Sequence, residues 1–299
     1  MTRYTVIAAE KAATGKVTTA CALLEVSRSA FYAWLRQRRP IRQLADEALA
    51  KRIKQIFEES KGTYGSPRIH RQLRHEAILC SRKRVARLMG ALGLCGRLKR
   101  AYRTTTVADP SVTLTMEDHV QRAFQPQLLH LNTVWVGDIT YLKTKEGWAY
   151  LATVIDLASR RVVGWAMSDN MRTCLVSQAF RAAVELRRPK PGLIFHTDRG
   201  SQYTSTAFQA LLQGLGFIQS FSRPAECWDN AVAESFFAIL KRELTDRVLW
   251  LTRADLRRAL FAFIDGWYNT RRLHSALDYT SPADYERLKL PPNLAAPAA

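Results

Sequence analysis

The chain has 299 residues, 47% of them hydrophobic, and a formal net charge of +19. That length fills one large core or two ordinary ones, and the longest apolar runs, such as Tyr150 to Ile155 and Ala259 to Ile264, are far too short to span a membrane. No apolar block near the N-terminus reads as a secretory signal, so a membrane partner is excluded and the expected location is the cytosol. Cys21, Cys80, Cys95, Cys174 and Cys227 are scattered, with no C-x-x-C pair, and read as reduced structural thiols rather than zinc ligands.

The charge is unevenly placed. Residues 1–104 hold 23 Lys and Arg against 7 Asp and Glu, a net of +16, whereas residues 105–299 hold 22 against 19, a net of +3. A region so basic releases counterions when it meets phosphates, which points to nucleic acid as its partner, bound with steep salt dependence.

In chain order, the predicted elements begin with short helices over Thr18–Leu24, Ser27–Arg38, Leu44–Glu59, Ser66–His75 and Ser81–Leu92, with Ser27, Ser66 and Ser81 as N-caps. Two helix pairs read as helix-turn-helix units. The first packs Ala22, Leu23 and Val26 around a turn, with Phe31, Trp34 and Leu35 inward and Arg28, Ser29 and Tyr32 outward. The second packs Ile69 and Leu73 against Val85, Leu88 and Met89 and leaves Arg82, Lys83, Arg84 and Arg87 outward. These outward residues, with Arg68, are the candidate DNA contacts of the basic third.

From Lys99 to about Leu131 apolar periodicity is lost. Three strands follow over Val134–Leu142, Ala149–Asp156 and Arg161–Met167, separated by Lys145-Glu146-Gly147 and Leu157-Ala158-Ser159. Next come a helix at Thr173–Arg187, a strand at Leu193–Phe195, a helix near Ser205–Leu215, a strand at Phe217–Ser220, a helix at Ala231–Glu243 and a last helical segment at Arg253–Asn269. Three strands and then alternating helices and strands make an α/β ribonuclease H-like mixed sheet, preceded here by an all-α region. The expected divisions are a helix-turn-helix over 1–60, a second helical DNA-binding region over 61–104 and a linker over 105–131. The α/β core then covers 132–248, a helical extension 249–290 and a disordered, Pro- and Ala-rich tail 291–299.

Three carboxylates fall at the ends of these elements. Asp138 lies within the first strand among apolar neighbours, where an unpartnered charge is expensive. Asp198 follows directly after the fourth strand, and Glu234 sits near the start of a helix. In an open mixed sheet the first and fourth strands are neighbours, so the two aspartates approach and the helix brings the glutamate over the same edge. Such oxygen ligands suit two Mg²⁺ or Mn²⁺ ions, which at roughly 3.5–4 Å apart serve in-line phosphoryl displacement. Each acid taken singly also fits a helix cap or a strand end. His196 reads as a hydrogen-bond partner of the site rather than a ligand, and Tyr203 as core.

The strings Trp135-Val136-Gly137-Asp138-Ile139-Thr140-Tyr141, His196-x-Asp198-x-Gly200-Ser201-Gln202-Tyr203, Cys227-Trp228-Asp229-Asn230-Ala231-x-Ala233-Glu234-Ser235 and Tyr268-Asn269-x-Arg271-Arg272-x-His274 resemble the OrfB product of the third insertion-sequence family, related to retroviral integrases. Positions 199 to 233 number 35, the family's spacing between its second aspartate and its glutamate. The N-terminal strings around Ser27-Arg28-Ser29 and Gly62-x-Tyr64-Gly65 resemble the family's helical DNA-binding region, so the likeness covers about residues 15–290. The resemblance implies a DDE transposase: Asp138, Asp198 and Glu234 as metal ligands, Lys241 on terminal DNA, strand cleavage and transfer through a circular intermediate, and a homo-oligomer on double-stranded DNA comprising element ends and target.

It also implies an upstream, frameshift-linked partner carrying another helix-turn-helix and a leucine zipper, since residues 1–60 show no sustained heptad repeat. Arg271, Arg272 and His274 read as DNA or intersubunit contacts, against a packing or salt-bridge role near Glu234. Trp228 and Asn230 either insert against DNA bases or form the turn that starts the catalytic helix. A DNA-binding regulator without catalysis is the alternative function; a damaged triad would mark it, and here all three acids are present.

Overall fold

The computed structural model describes residues 2–36, 41–97, 125–222 and 231–290. The chain forms two compact units, Met1–Gly96 and Arg97–Ala299.

In the first unit, α1 (Arg3–Thr14), α2 (Val17–Leu23) and α3 (Arg28–Leu35) close around Ile7, Val17, Ala20, Cys21 and Phe31. The helix α1 was not among the predicted elements, and it changes which residues are inside. It covers Val17, Ala20 and Cys21, so Leu23 is left 79% exposed and Ala22 is also exposed, against their predicted role at the turn. Trp34 and Leu35 are exposed as well, Trp34 stacking on Tyr4 with ring centroids 5.5 Å apart.

The helices α4 (Ile41–Glu59), α5 (Ser66–His75) and α6 (Arg82–Ala91) form the second helical group, with Ile69 and Leu73 of α5 and Val85, Leu88 and Met89 of α6 buried. Ser27 and Ser81 cap α3 and α6 as expected, accepting from Ala30 N–H and Arg84 N–H. Ser66 does not: the N-cap of α5 is Gly65, and Ser66 and Pro67 open the helix itself, where proline's missing N–H is harmless.

The second unit is a five-stranded sheet of order β3-β2-β1-β4-β5, built from β1 (Val134–Thr144), β2 (Gly147–Asp156), β3 (Val162–Ser168), β4 (Ile194–Thr197) and β5 (Ile218–Phe221). The first three strands are an antiparallel meander; β4 runs parallel to β1, and β5 parallel to β4. Gly147 turns the first hairpin at φ +110°, a region closed to most side chains. Asp156 organises the second turn: its carboxylate accepts from Ser159 N–H (2.8 Å) and from Asn132 N–H (2.7 Å), tying that turn to the entry of β1.

Side-chain alternation gives the sheet two faces. Trp135, Ala152 and Val154 pack under α7 (Thr173–Arg187) and α8 (Thr206–Gly214) with Phe180, Phe195 and Phe208. Val134, Val136, Leu142 and Leu151 pack on the other side against α9 (Ala231–Glu243) and α10 (Arg253–Phe263) through Phe236, Leu240, Leu256 and Leu260. Gly164 lets α7 approach β3: a Cβ there would run into the Ala179 carbonyl oxygen and lie 2.7 Å from Ala183 N.

The chain continues past α10 through a π-turn, Ile264–Tyr268, and a further helix, α11 (Pro282–Lys289), that the sequence pattern did not reveal. Glu286 of α11 is buried between Arg161 and Arg187, which anchors that helix to the residue before β3 and to the last residue of α7. Residues 105–124 of the expected linker and the tail 291–299 lie outside the described residues.

Candidate active site

Pairing between β1 and β4 sets the register of the site: Val134, Trp135 and Val136 stand opposite Ile194, Phe195 and His196. Two residues past the Val136–His196 pair, Asp138 continues β1 and Asp198 directly follows the end of β4, which brings the two aspartates to the same edge of the sheet. Gly137 permits this closeness, since a Cβ there would meet the Phe195 ring at 2.6 Å and Thr197 at 3.1 Å.

The electrostatics reflect that proximity. Burial, and next the charge of Asp198, push the Asp138 carboxyl up to about 8; Glu234 adds to the rise, while Ile139 N–H and Lys241 oppose it. Asp198 is also raised, by burial, with Gly200 N–H opposing, and Glu234 is raised by burial. Ile139 N–H donates to Asp138 Oδ1 at 2.7 Å and Gly200 N–H to Asp198 Oδ1 at 3.1 Å, each fixing one carboxylate.

Three acids that resist ionisation together lack positive charge, and hard oxygen donors fit a divalent cation in their chemistry. Asp198 is the larger charged influence on Asp138 and Glu234 the lesser. Among the described residues, no three Asp, Glu, His or Cys stand at metal-holding distance.

The surroundings hold Asp198 in place. His196 is fully buried, with Nδ1 2.9 Å from Ser220 Oγ and Nε2 3.2 Å from Ser222 Oγ, so its ring joins β4 to the end of β5. Arg199 Nε donates to the Ser222 carbonyl at 2.9 Å, a lock on the loop after Asp198 that the sequence did not suggest. Tyr203 is buried against Phe195 and Phe208, and burial together with Asp138 and Asp198 keeps its hydroxyl protonated.

On α9, Lys241 lies seven positions beyond Glu234, and its Nζ sits 5.1 Å from the Tyr141 ring centroid. This reach is possible because β4 pairs only with the first residues of β1. Between Val136 and the Thr144–Trp250 bridge, no described strand pairs with that edge.

Two of the expected C-terminal contacts are corrected. Arg272 is 1% exposed and makes a fork-shaped pair with Glu243, Nε to Oε2 at 2.9 Å and Nη2 to Oε1 at 2.7 Å. His274 is 7% exposed, its ring 4.6 Å from that of Tyr268 at 87°. Both are enclosed within the protein: Arg272 takes the salt-bridge alternative and His274 the packing one. Arg271 beside them is exposed. Asn269, not singled out before, binds the backbone of Val162 with both ends of its amide, at 3.0 and 2.9 Å. Nothing in the local pattern distinguishes it from any helix-end asparagine.

In the first unit Arg28, Arg82, Lys83 and Arg87 are exposed, and Tyr32, Arg68 and Arg84 half-buried. Tyr32 carries Lys11 over its ring and Arg68 lies over Tyr64. Arg84 and Arg87 both pair with Asp46 of α4 at 2.6 Å, so they brace α6 as well as facing outward. Trp228 and Asn230 lie outside the described residues.

Comparison with known proteins is consistent along the chain. Integrase core domain models match residues 129–227 and 215–282, and an HTH-like domain model matches residues 43–102. The chain is 42% identical over 251 residues to a transposase for insertion sequence element IS904 of Lactococcus lactis, covering 84% of this chain and 98% of that one. It is 35% identical to the IS629 transposase of Shigella sonnei, covering 89% and 90%, and 36% identical to the transposase InsF for IS3A of Escherichia coli, covering 90% and 93%. Among solved structures, the HTLV-2 integrase catalytic core domain in complex with magnesium aligns with 22% identity and a TM-score of 0.39, over 52% of this chain and 96% of that one. By its relatives and its match to the integrase core domain, the chain belongs to the third family of insertion-sequence transposases, the DDE enzymes with an integrase core.

Proposed function

We propose that this transposase cleaves one DNA strand at one end of its element and joins the freed 3′-hydroxyl to the same strand beside the other end, giving a circle that is later inserted into a target. The metal centre in this reading is Asp138, Asp198 and Glu234. The observation that carries it is the placement of Asp138 on β1 and of Asp198 directly after the neighbouring parallel strand β4, close enough that the charge of Asp198 helps push the Asp138 carboxyl up to about 8.

Bound Mg²⁺ or Mn²⁺, two ions in this reading, supplies activation of the attacking hydroxyl and stabilisation of the leaving 3′-oxygen. The chain's own part is positional. Ile139 and Gly200 N–H groups hold the aspartates, His196 and Arg199 fix the loop that carries the second, and α9 delivers Glu234. Lys241 offers a cation to the phosphate next to the reacting one. Arg28, Tyr32, Arg68, Arg82, Lys83, Arg84, Arg87 and Arg271 are proposed as DNA contacts. Two ends joined in one event call for more than one copy of the chain, and an upstream helix-turn-helix and zipper product would add end recognition.

The test is strand cleavage and joining on a labelled duplex carrying the element's end, with Mg²⁺ or Mn²⁺, comparing the natural chain with Asp198→Asn. Products from the first and none from the second, at equal DNA binding, support the reading. Products that survive Asp198→Asn refute the site, and a chain that binds DNA but never cuts it favours a regulator or a missing upstream partner.

A further inference from the structure

The β1–β2 hairpin carries an exposed face that is neither apolar core nor ordinary charged surface. Tyr141 is 60% exposed and Trp148 47%, their rings edge to face with centroids 5.3 Å apart. Lys143 is exposed between them, paired in register with Trp148, and Tyr150 is half-buried beside Tyr141. Lys241 reaches this face from α9 across the open edge of β1. Lys145 and Arg253 add positive charge at the hairpin tip, where Glu146 accepts from Arg253 N–H at 2.8 Å. Asp169, at the end of β3, accepts from Asn170 at 2.8 Å.

Exposed rings interleaved with lysines suit one ligand chemistry. Base faces stack on aromatic rings while phosphates meet the cations, and stacking needs bases that are not already stacked in a duplex. Tyr141 is three residues along β1 from Asp138, about 10 Å at the rise of a strand. Alternation turns these two side chains to opposite faces, so a strand that meets both must pass the open edge of β1, where Lys241 stands. A strand drawn to the acids and parted from its complement would leave unpaired bases beside the aromatic face.

We propose that Tyr141, Lys143, Trp148 and Tyr150, with Lys241 at their margin, bind unpaired DNA bases next to the reacting phosphate. The proposal rests on the acids being the reacting centre, but its test does not need catalysis. Full-length protein is titrated against two oligonucleotides of the same sequence, a blunt duplex and a duplex whose end carries a single-stranded overhang with 2-aminopurine in it. Trp148→Ala is expected to weaken overhang binding about tenfold, in the range of one lost base stack, and to abolish quenching of the 2-aminopurine. Blunt-duplex affinity stays unchanged, Trp148→Phe retains most of the binding, and Tyr141→Ala repeats the loss.

Equal loss on both duplexes, or no loss on either, overturns the proposal. So does self-association that disappears in Trp148→Ala by sedimentation velocity, which would make this face a contact between copies. Strand cleavage by wild type measured in parallel separates the two readings: cleavage that depends on Asp198 while Trp148→Ala binds the overhang normally sinks the stacking face alone.

Discussion

Arg272 and Glu243 form a two-point ion pair in which the side chains are 1% and 2% exposed. Glu243 is the last residue of α9, where the helix dipole disfavours an acid, and the Arg272 fork offsets that. The same short segment carries Tyr268, whose ring meets Phe236 edge-on at 4.8 Å, and Asn269, bound to Val162 of β3. Thus the segment after α10 links α9, the helix bearing Glu234, to the strand layer bearing Asp138.

Breaking one side of a buried pair is costly, so Arg272→Met is expected to lose roughly 3–5 kcal/mol in urea unfolding. Arg272→Met with Glu243→Met should regain most of that stability, because neither charge then remains buried. Strand cleavage by the double variant should stay below wild type, since the tie that places α9 is gone. Full recovery of cleavage would show that the pair serves stability alone.

The Asp138 carboxyl sets a pH dependence with a definite sign. Its ordinary value is 3.8 and its value in the folded protein is about 8. Between those limits the folded state holds a proton that the unfolded chain has released, so stability falls as pH rises and levels off above about 8. The melting temperature of metal-free protein, read as wild type minus Asp138→Asn, should show that fall. Mg²⁺ should raise the wild-type melting temperature more at pH 8 than at pH 5 and leave the variant little changed.

Much of this architecture was readable beforehand. The helices Thr173–Arg187 and Ala231–Glu243 have the bounds their apolar periodicity gave, because each buries one continuous stripe on the sheet. That β1 and β4 are neighbours followed from strand order; that they run parallel is seen only in the fold. What the sequence hid were contacts between distant segments. Arg271, Arg272 and His274 look alike as basic residues, and only the fold sends Arg272 and His274 inward. Likewise α1 sets which residues of α2 are buried, and without it the pattern from Thr18 onward places Leu23 on the buried side.

Glycine substitutions give a sharp contrast. Gly164→Ala forces β3 away from the α7 backbone and is expected to destabilise the second unit by about 1–3 kcal/mol or more, the range for overpacking. Gly90, within α6 and with nothing within 4 Å of an added Cβ, should gain from Gly90→Ala by about 0.4–1 kcal/mol. Denaturant midpoints of the two variants check both signs.

The basic face of α6 divides into two kinds of residue. Arg82→Ala and Lys83→Ala should weaken DNA binding and each lower the salt-dependence slope by about 0.9 per lost phosphate contact, with little change in stability. Arg84→Ala should lower stability as well, since it also braces α6 to Asp46. Affinity measured across a salt series, beside thermal melts, separates the two.

The most direct test of the central claim is metal preference in strand cleavage by Asp138→Cys and Asp198→Cys. If these carboxylates are the ligands, both variants fail with Mg²⁺, which a thiolate serves poorly, and regain part of their cleavage with the softer Mn²⁺, at unaltered DNA binding. Undiminished cleavage with Mg²⁺ in either variant would contradict the assignment of that residue to the metal centre.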